Sequence, residues 1–296
     1  QLFLSLLDIK FFRNIQLLNL SLSKFSLMKQ FFLFIFFAST LYSCSKYQKV
    51  LKSDDINFKY EQAVKYYKNS EFNKALPIFN ELIPIFKGTN KAEEIAFYFA
   101  YSHYSTGDFL MASYLFNRFT INFPRSKHVE ECKYMVAYCH YQEAPEFSLD
   151  ATNTMLAIDK FQEFIDKYPD SERVDMCNSL MDELRLNLSR KAFANAKQYH
   201  TTENYRAAII ALDNVLIDYP DVENREEIYF LILESSYFLA VNSTLSKKAK
   251  RLNMTIEYYN QFMDNYAESK YSDQVKKIYD ITKTTIEQLK SNQDEI

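Results

Sequence analysis

Glycine is almost missing from this sequence: two occur in 296 residues, beside six prolines and no tryptophan. Tight two-residue β-hairpins need residues that accept positive φ, and phosphate-cradling loops need bare backbone. So little glycine argues against both. The Walker loop, the Gly-x-Ser-x-Gly elbow and the His-Glu-x-x-His zinc motif are absent. Histidine is scarce too, and His103, His128, His140 and His200 form no His-x-x-x-His pair. His140 lies near Cys139 and Glu143, but a metal site needs three or four converging ligands. Carboxylate pairs such as Glu93/Glu94 and Glu130/Glu131 read as solvated helix faces. We therefore expect no enzyme, no cofactor and no metal. Excess positive charge is also lacking. The net charge is −3; residues 1–43 hold Lys10, Arg13, Lys24 and Lys29 against Asp8, so the remainder stands at −6. Nothing here favours nucleic acid as a partner.

What the sequence has is aromatic residues: 23 tyrosines and 26 phenylalanines, amid interspersed charges of both signs. This composition suits helices packed through aromatic side chains. Five trios share one spacing, an apolar residue followed by another three later and an aromatic four after that. They are Phe79/Leu82/Phe86, Phe116/Phe119/Phe123, Phe161/Phe164/Tyr168, Leu212/Val215/Tyr219 and Tyr259/Phe262/Tyr266. Steps of three and four place each trio on one helical face. Pro124, Pro169 and Pro220 follow the middle three and stop the helix, while Lys87 and Ala267 take that place in the outer two.

That position serves as a ruler. Counting back 24, 12 and 8 residues from Pro124 gives Ala100, Ala112 and Phe116. From Pro220 the same offsets give Ala196, Ala208 and Leu212, and from Lys87 they give Ala63, Ala75 and Phe79. Tyr66 matches Tyr199, and Phe72 matches Phe109 and Tyr205. Small residues at such positions let two helix backbones approach closely. Asn69-Ser70-Glu71, Thr106-Gly107-Asp108 and Thr202-Glu203-Asn204 mark tight turns. The third unit separates Ala137 from Ala157 by eight extra residues, so Glu143–Asp150 is expected to protrude as a loop. A similar loop is expected at Val241–Lys248, before a helix from about Ala249 to Asn265. No breaker lies between Ser171 and His200, which predicts one long helix, or two nearly coaxial ones, over Glu172–Tyr199. A final amphipathic helix is expected over Ser272–Leu289.

Cys132 and Cys139 sit seven apart on one expected helix, about 10.5 Å by rise, too far to bridge. Cys177 lies on a later helix. It either approaches one of them as a disulfide, which suits an exported protein, or all three are buried free thiols, the preferred reading.

The beginning of the chain has its own pattern. Met28 is the expected start, with residues 1–27 an upstream extension. Lys29 supplies a positive charge, and Phe31–Ala38 is an apolar run too short to span a bilayer. Together they describe a secretory signal peptide. Leu41-Tyr42-Ser43-Cys44 then resembles the bacterial lipoprotein signal. The resemblance implies an S-diacylglyceryl, N-acylated (palmitoyl-type) cysteine at Cys44, and multiple acyl chains hold a protein firmly to a membrane. Ser45, not Asp, follows it, which favours the outer membrane.

The alanine crossings and paired helices resemble the tetratricopeptide repeat family. That implies an all-α fold: a right-handed α-solenoid of about five helix pairs with a C-terminal capping helix. The expected organisation is a signal and extension over 1–43, a lipidated tether over 44–55, a solenoid over 56–289 and a polar tail over 290–296. The solenoid divides into N-terminal repeats 56–170 and C-terminal repeats 171–289. Tyr168–Glu172, Phe123–Ser126 and the long helix before Tyr199, behind a lipid-anchor signal, are similar to the BamD-type outer-membrane assembly lipoproteins. That resemblance implies a lipid-anchored adaptor on the periplasmic face of the outer membrane. Its implied partners are unfolded β-barrel precursors, a BamA-like barrel subunit with periplasmic repeat domains and other assembly lipoproteins. The faces of Asn57–Ser126 would grip precursors, with Tyr67, Tyr101 and Tyr104 as contacts or as interhelical packing, and Lys191–Tyr271 would carry the docking surface. The alternatives are a repeat scaffold coordinating cell-wall or other envelope machinery, and a solute-binding lipoprotein.

Overall fold

The structure is a computed structural model and describes residues 46–294. Met28, the apolar run and Cys44 lie outside the described residues. The described chain is helical from end to end. It runs α1 (46–51), α2 (Ile56–Lys68), α3 (Phe72–Ile85), α4 (Ala92–Ser105), α5 (Phe109–Asn122), α6 (Val129–Gln142) and α7 (Thr152–Lys167). It continues with α8 (Val174–Thr201), α9 (Tyr205–Asp218), α10 (Arg225–Val241), α11 (Leu245–Tyr266) and α12 (Ser272–Asp294). Consecutive helices pack as pairs: α2 on α3, α4 on α5, α6 on α7, α8 on α9 and α10 on α11. α12 covers the last pair through α11 and α10. This is the expected repeat architecture of five hairpins and a cap.

The hairpin turns repeat in atomic detail. Ser70, Gly107 and Glu203 occupy one repeat position and hold φ of 58°, 82° and 60°. In the first, the Glu71 amide donates to the Tyr66 carbonyl at 2.8 Å and the Ser70 amide to that of Tyr67 at 2.9 Å. Asp108 and Gly107 repeat these bonds on His103 and Tyr104, and Asn204 and Glu203 on Tyr199 and His200. This is a Schellman end, in which one left-handed residue satisfies two orphan carbonyls. The other ends are set by proline. Phe123, Tyr168 and Tyr219, each before a proline, hold φ near −130° and ψ of 58–76°. The proline ring excludes the helical conformation there. Phe86, before Lys87, stays at φ −88° and ψ 5°.

The apolar trios form the core. Phe79, Leu82, Phe116, Phe161 and Leu212 have no exposed surface, and Phe119, Phe164 and Val215 have almost none. The third residue of each trio is half-buried. Every alanine named at a crossing (63, 75, 100, 112, 137, 157, 196, 208) is buried. In the fifth pair Ser236 and Thr255 replace alanine, their hydroxyls 3.0 Å apart in the interior. A small residue is kept at the crossing while its polar atom is satisfied across it.

The described chain forms two compact units, one ending at Phe123 and the other starting at Pro124. The grouping of repeats expected at 170/171 does not coincide with this division. α7 and α8 share a core of Phe161, Phe164, Cys177, Met181 and Leu184, so that boundary would cut through packed side chains. Three further expectations change. The stretch read as a tether is partly ordered: α1 seats Val50 against α2 and α3, leaving it 4 % exposed. The polar tail remains helical to Asp294. The loop expected at Val241–Lys248 shrinks to three residues, because α10 and α11 extend into it. Glu143–Asp150 does lie in the turn and loop joining α6 to α7, and α8 is a single uninterrupted helix.

Candidate functional site

The half-buried aromatic residues of the first helix in each pair form the most regular feature. On α4, Phe97, Tyr101 and Tyr104 follow one another at helical spacing, and on α6 Tyr134, Tyr138 and Tyr141 repeat them 37 residues later. Tyr60, Val64 and Tyr67 hold the same places on α2. Each ladder leans on the second helix of its own pair. In the first unit, ring centroids lie 5.8 Å apart for Phe97 and Phe119, 4.9 Å for Tyr101 and Phe116 and 5.6 Å for Tyr104 and Phe109. Tyr67 stacks on Tyr98 at 4.2 Å and meets Phe72 edge-on at 5.7 Å. Tyr67, Tyr101 and Tyr104 are therefore interhelical packing residues that keep part of each ring accessible. The further rings Phe97, Tyr134, Tyr138 and Tyr141 were legible as a 37-residue recurrence, which the proline ruler did not sample; Tyr98 lies outside that recurrence.

Polar groups meet some of these rings at their edges. Tyr60 donates to Glu94, and Lys91 sits 4.2 Å from the centre of its ring while donating to Asn57 Oδ1 at 3.1 Å. Burial, then the Glu94 bond, pushes the Tyr60 phenol far above its ordinary value, and Tyr98 shifts the same way for the same reasons. In the second unit Tyr134 and Tyr138 stack at 5.6 Å, and Tyr138 and Tyr141 at 5.7 Å. The Arg173 guanidinium covers the Tyr134 ring at 4.6 Å, and Tyr141 donates to Glu183 at 2.9 Å. Such surfaces expose part of each hydroxyl-bearing ring and its π face.

One cluster does bring a hydroxyl, an imidazole and a carboxylate together. His200 Nδ1 lies 2.9 Å from Ser235 Oγ, and its Nε2 lies 3.1 Å from Glu234. Ser235 has no exposed surface, so no substrate can reach it; the cluster locks α8 to α10. No disulfide joins Cys132, Cys139 and Cys177, and all three are buried, in line with the preferred reading of buried thiols. Burial pushes Cys139 up to about 12 and Cys177 up to about 11, so both remain inert protonated thiols.

The stretch proposed for docking, Lys191–Tyr271, covers the end of α8 through α11. Its apolar run Ala207–Leu212 faces inward at Ala208, Ile209 and Leu212, while Ile210 and Ile217 face out on α9, 55 % and 74 % exposed. Arg190 and Lys197 are taken by Glu223 at 3.1 Å and Glu227 at 2.6 Å. The Glu143–Asp150 insertion leans on α8, where Lys191 donates to the Leu149 carbonyl, and it leaves Phe147 and Leu149 exposed. Among the described residues no helix is long and apolar enough to cross a membrane.

A family model described as YfiO, outer membrane lipoprotein, matches residues 53–252. No curated protein matches the chain.

Proposed function

The chain belongs to the YfiO family of outer membrane lipoproteins, and from that premise we propose that it is a BamD-like adaptor for inserting β-barrel proteins. In this reading Cys44 carries diacylglyceryl on sulfur and acyl on nitrogen, and holds the helical body at the periplasmic face of the outer membrane. The accessible ring faces of the α2 and α4 ladders receive unfolded barrel precursors. The surface from α8 to α11, with Ile210 and Ile217 outward, docks a BamA-like barrel subunit, and other assembly lipoproteins complete the complex. The protein itself catalyses nothing. The observation that carries the reading is the family match, which starts just before α2 and runs into α11. Half-buried aromatics with accessible ring faces support a gripping surface.

Affinity capture from detergent-solubilised membranes, followed by mass spectrometry, tests it. A large barrel protein with periplasmic repeat domains is the expected companion. Peptidoglycan enzymes in its place would make the protein an envelope scaffold, and a glycan transporter would make it an uptake component. Depletion is expected to lower many outer-membrane barrels at once; loss of a single nutrient-uptake trait would overturn the proposal.

A further inference from the structure

α1 is anchored from below. Val50 is buried, and Tyr47 and Leu51 pack beside it on the α2–α3 hairpin. That burial leaves Lys46 and Lys49, one turn apart, exposed at the surface, and Lys65 on α2 is exposed as well. With Lys74 they line an open groove of about 480 Å³ that also includes Val50 and the exposed ring of Phe58. Glu71 is the one acid in its wall, and Lys74 already holds it. Among the described residues no ion pair takes up Lys46, Lys49 or Lys65. A cluster of available cations is unusual on a chain whose net charge is −3.

We propose that this groove is a docking surface for anionic phospholipid headgroups, which fixes how the α1–α3 end lies against the bilayer. The choice of a bilayer as occupant rests on the acylation of Cys44 proposed above. Lys46 follows Cys44 by two residues, and two extended residues reach at most about 7 Å. That is within the roughly 8 Å over which charges act at physiological salt. An acyl anchor at Cys44 therefore brings these lysines into the headgroup field, where each contributes to attraction. Phe58 adds an exposed apolar ring on the same wall of the groove. The acidic remainder of the chain is repelled by the same surface, so the groove sets a preferred orientation.

Amine-reactive labelling of the purified chain in lipid nanodiscs reads this directly. Discs of phosphatidylcholine alone are compared with discs that also contain phosphatidylglycerol, and each lysine is quantified by mass spectrometry. Lys46, Lys49 and Lys65 are expected to react severalfold more slowly only with phosphatidylglycerol, and high salt is expected to restore them. Exposed Lys127 serves as the unchanged reference. In the Lys46→Glu/Lys49→Glu chain, where two cations become two anions, the protection of Lys65 is expected to be lost. Equal reactivity in both membranes overturns the proposal, as does equal protection by inorganic phosphate in phosphatidylcholine discs, which would mark a free-anion site. The same digest weighs the peptide bearing Cys44. Protected lysines beside an unacylated cysteine would leave the surface standing and remove the anchor; an acylated cysteine beside unprotected lysines would overturn this inference alone.

Discussion

Glu203 shows how strongly a fold can override a residue's own preference. It holds a left-handed φ of 60° at the place where the second hairpin turn uses Gly107. Left-handed backbone costs a side-chain-bearing residue about 1–2 kcal/mol, partly offset by the entropy glycine gives up on folding. Glu203→Gly is therefore expected to stabilise the protein by about 0.5–1 kcal/mol, seen as a higher urea midpoint with an unchanged slope. Cys139 makes a second residue-scale case. Burial first, then Glu143, raises its thiol from 9.0 to about 12 in the folded chain. The folded state thus keeps a proton that the unfolded state releases above pH 9. Its contribution is complete below pH 9 and is lost as pH rises towards 12. Denaturation at stepped alkaline pH should show this decline, and Cys139→Ala should flatten part of it.

At the scale of the helix, stability comes from the apolar trio of one helix and the alanine at its crossing. Phe164 is 1 % exposed and touches Tyr134 and Tyr168 at ring centroids of 5.9 Å and 5.3 Å. Phe164→Ala is expected to cost about 3–5 kcal/mol, because the rigid α6–α7–α8 core cannot collapse onto the hole. Ala208 is the opposite case. It has no exposed surface where α8 meets α9, and Ala208→Leu is expected to cost about 1–3 kcal/mol by forcing those helices apart. Thermal unfolding by circular dichroism would rank both variants below exposed substitutions such as Lys127→Ala. The ends of these helices were readable beforehand because proline and turn residues act locally. The extension of α10 and α11 into an expected loop was not, because Leu245–Lys248 has no breaker and its helicity depends on what α10 supports.

At the scale of the molecule, the proposed function turns on where the helical body is held. Cys44→Ala is expected to move the protein from the membrane fraction to the soluble fraction once the signal peptide is removed, scored by fractionation and immunoblot. An unchanged membrane fraction would mean that protein contacts, not acyl chains, hold it there. The proposed docking surfaces are matters of this scale too. The exposed Ile210 and Ile217 are set apart from their buried neighbours only by which side of α9 meets α8 and α10.

The amino-acid sequence by itself determined the helices, their pairing and the family, because apolar spacing, alanine crossings and pre-proline geometry act within one or two turns of chain. It also carries Leu41–Cys44, the string from which the lipid anchor is proposed. Only the tertiary structure decided that α1 is packed instead of dangling, that the compact units part at Phe123, and which tyrosines are spent on packing. Those outcomes depend on which side chains distant in sequence compete for the same buried surface, and no local pattern records that competition.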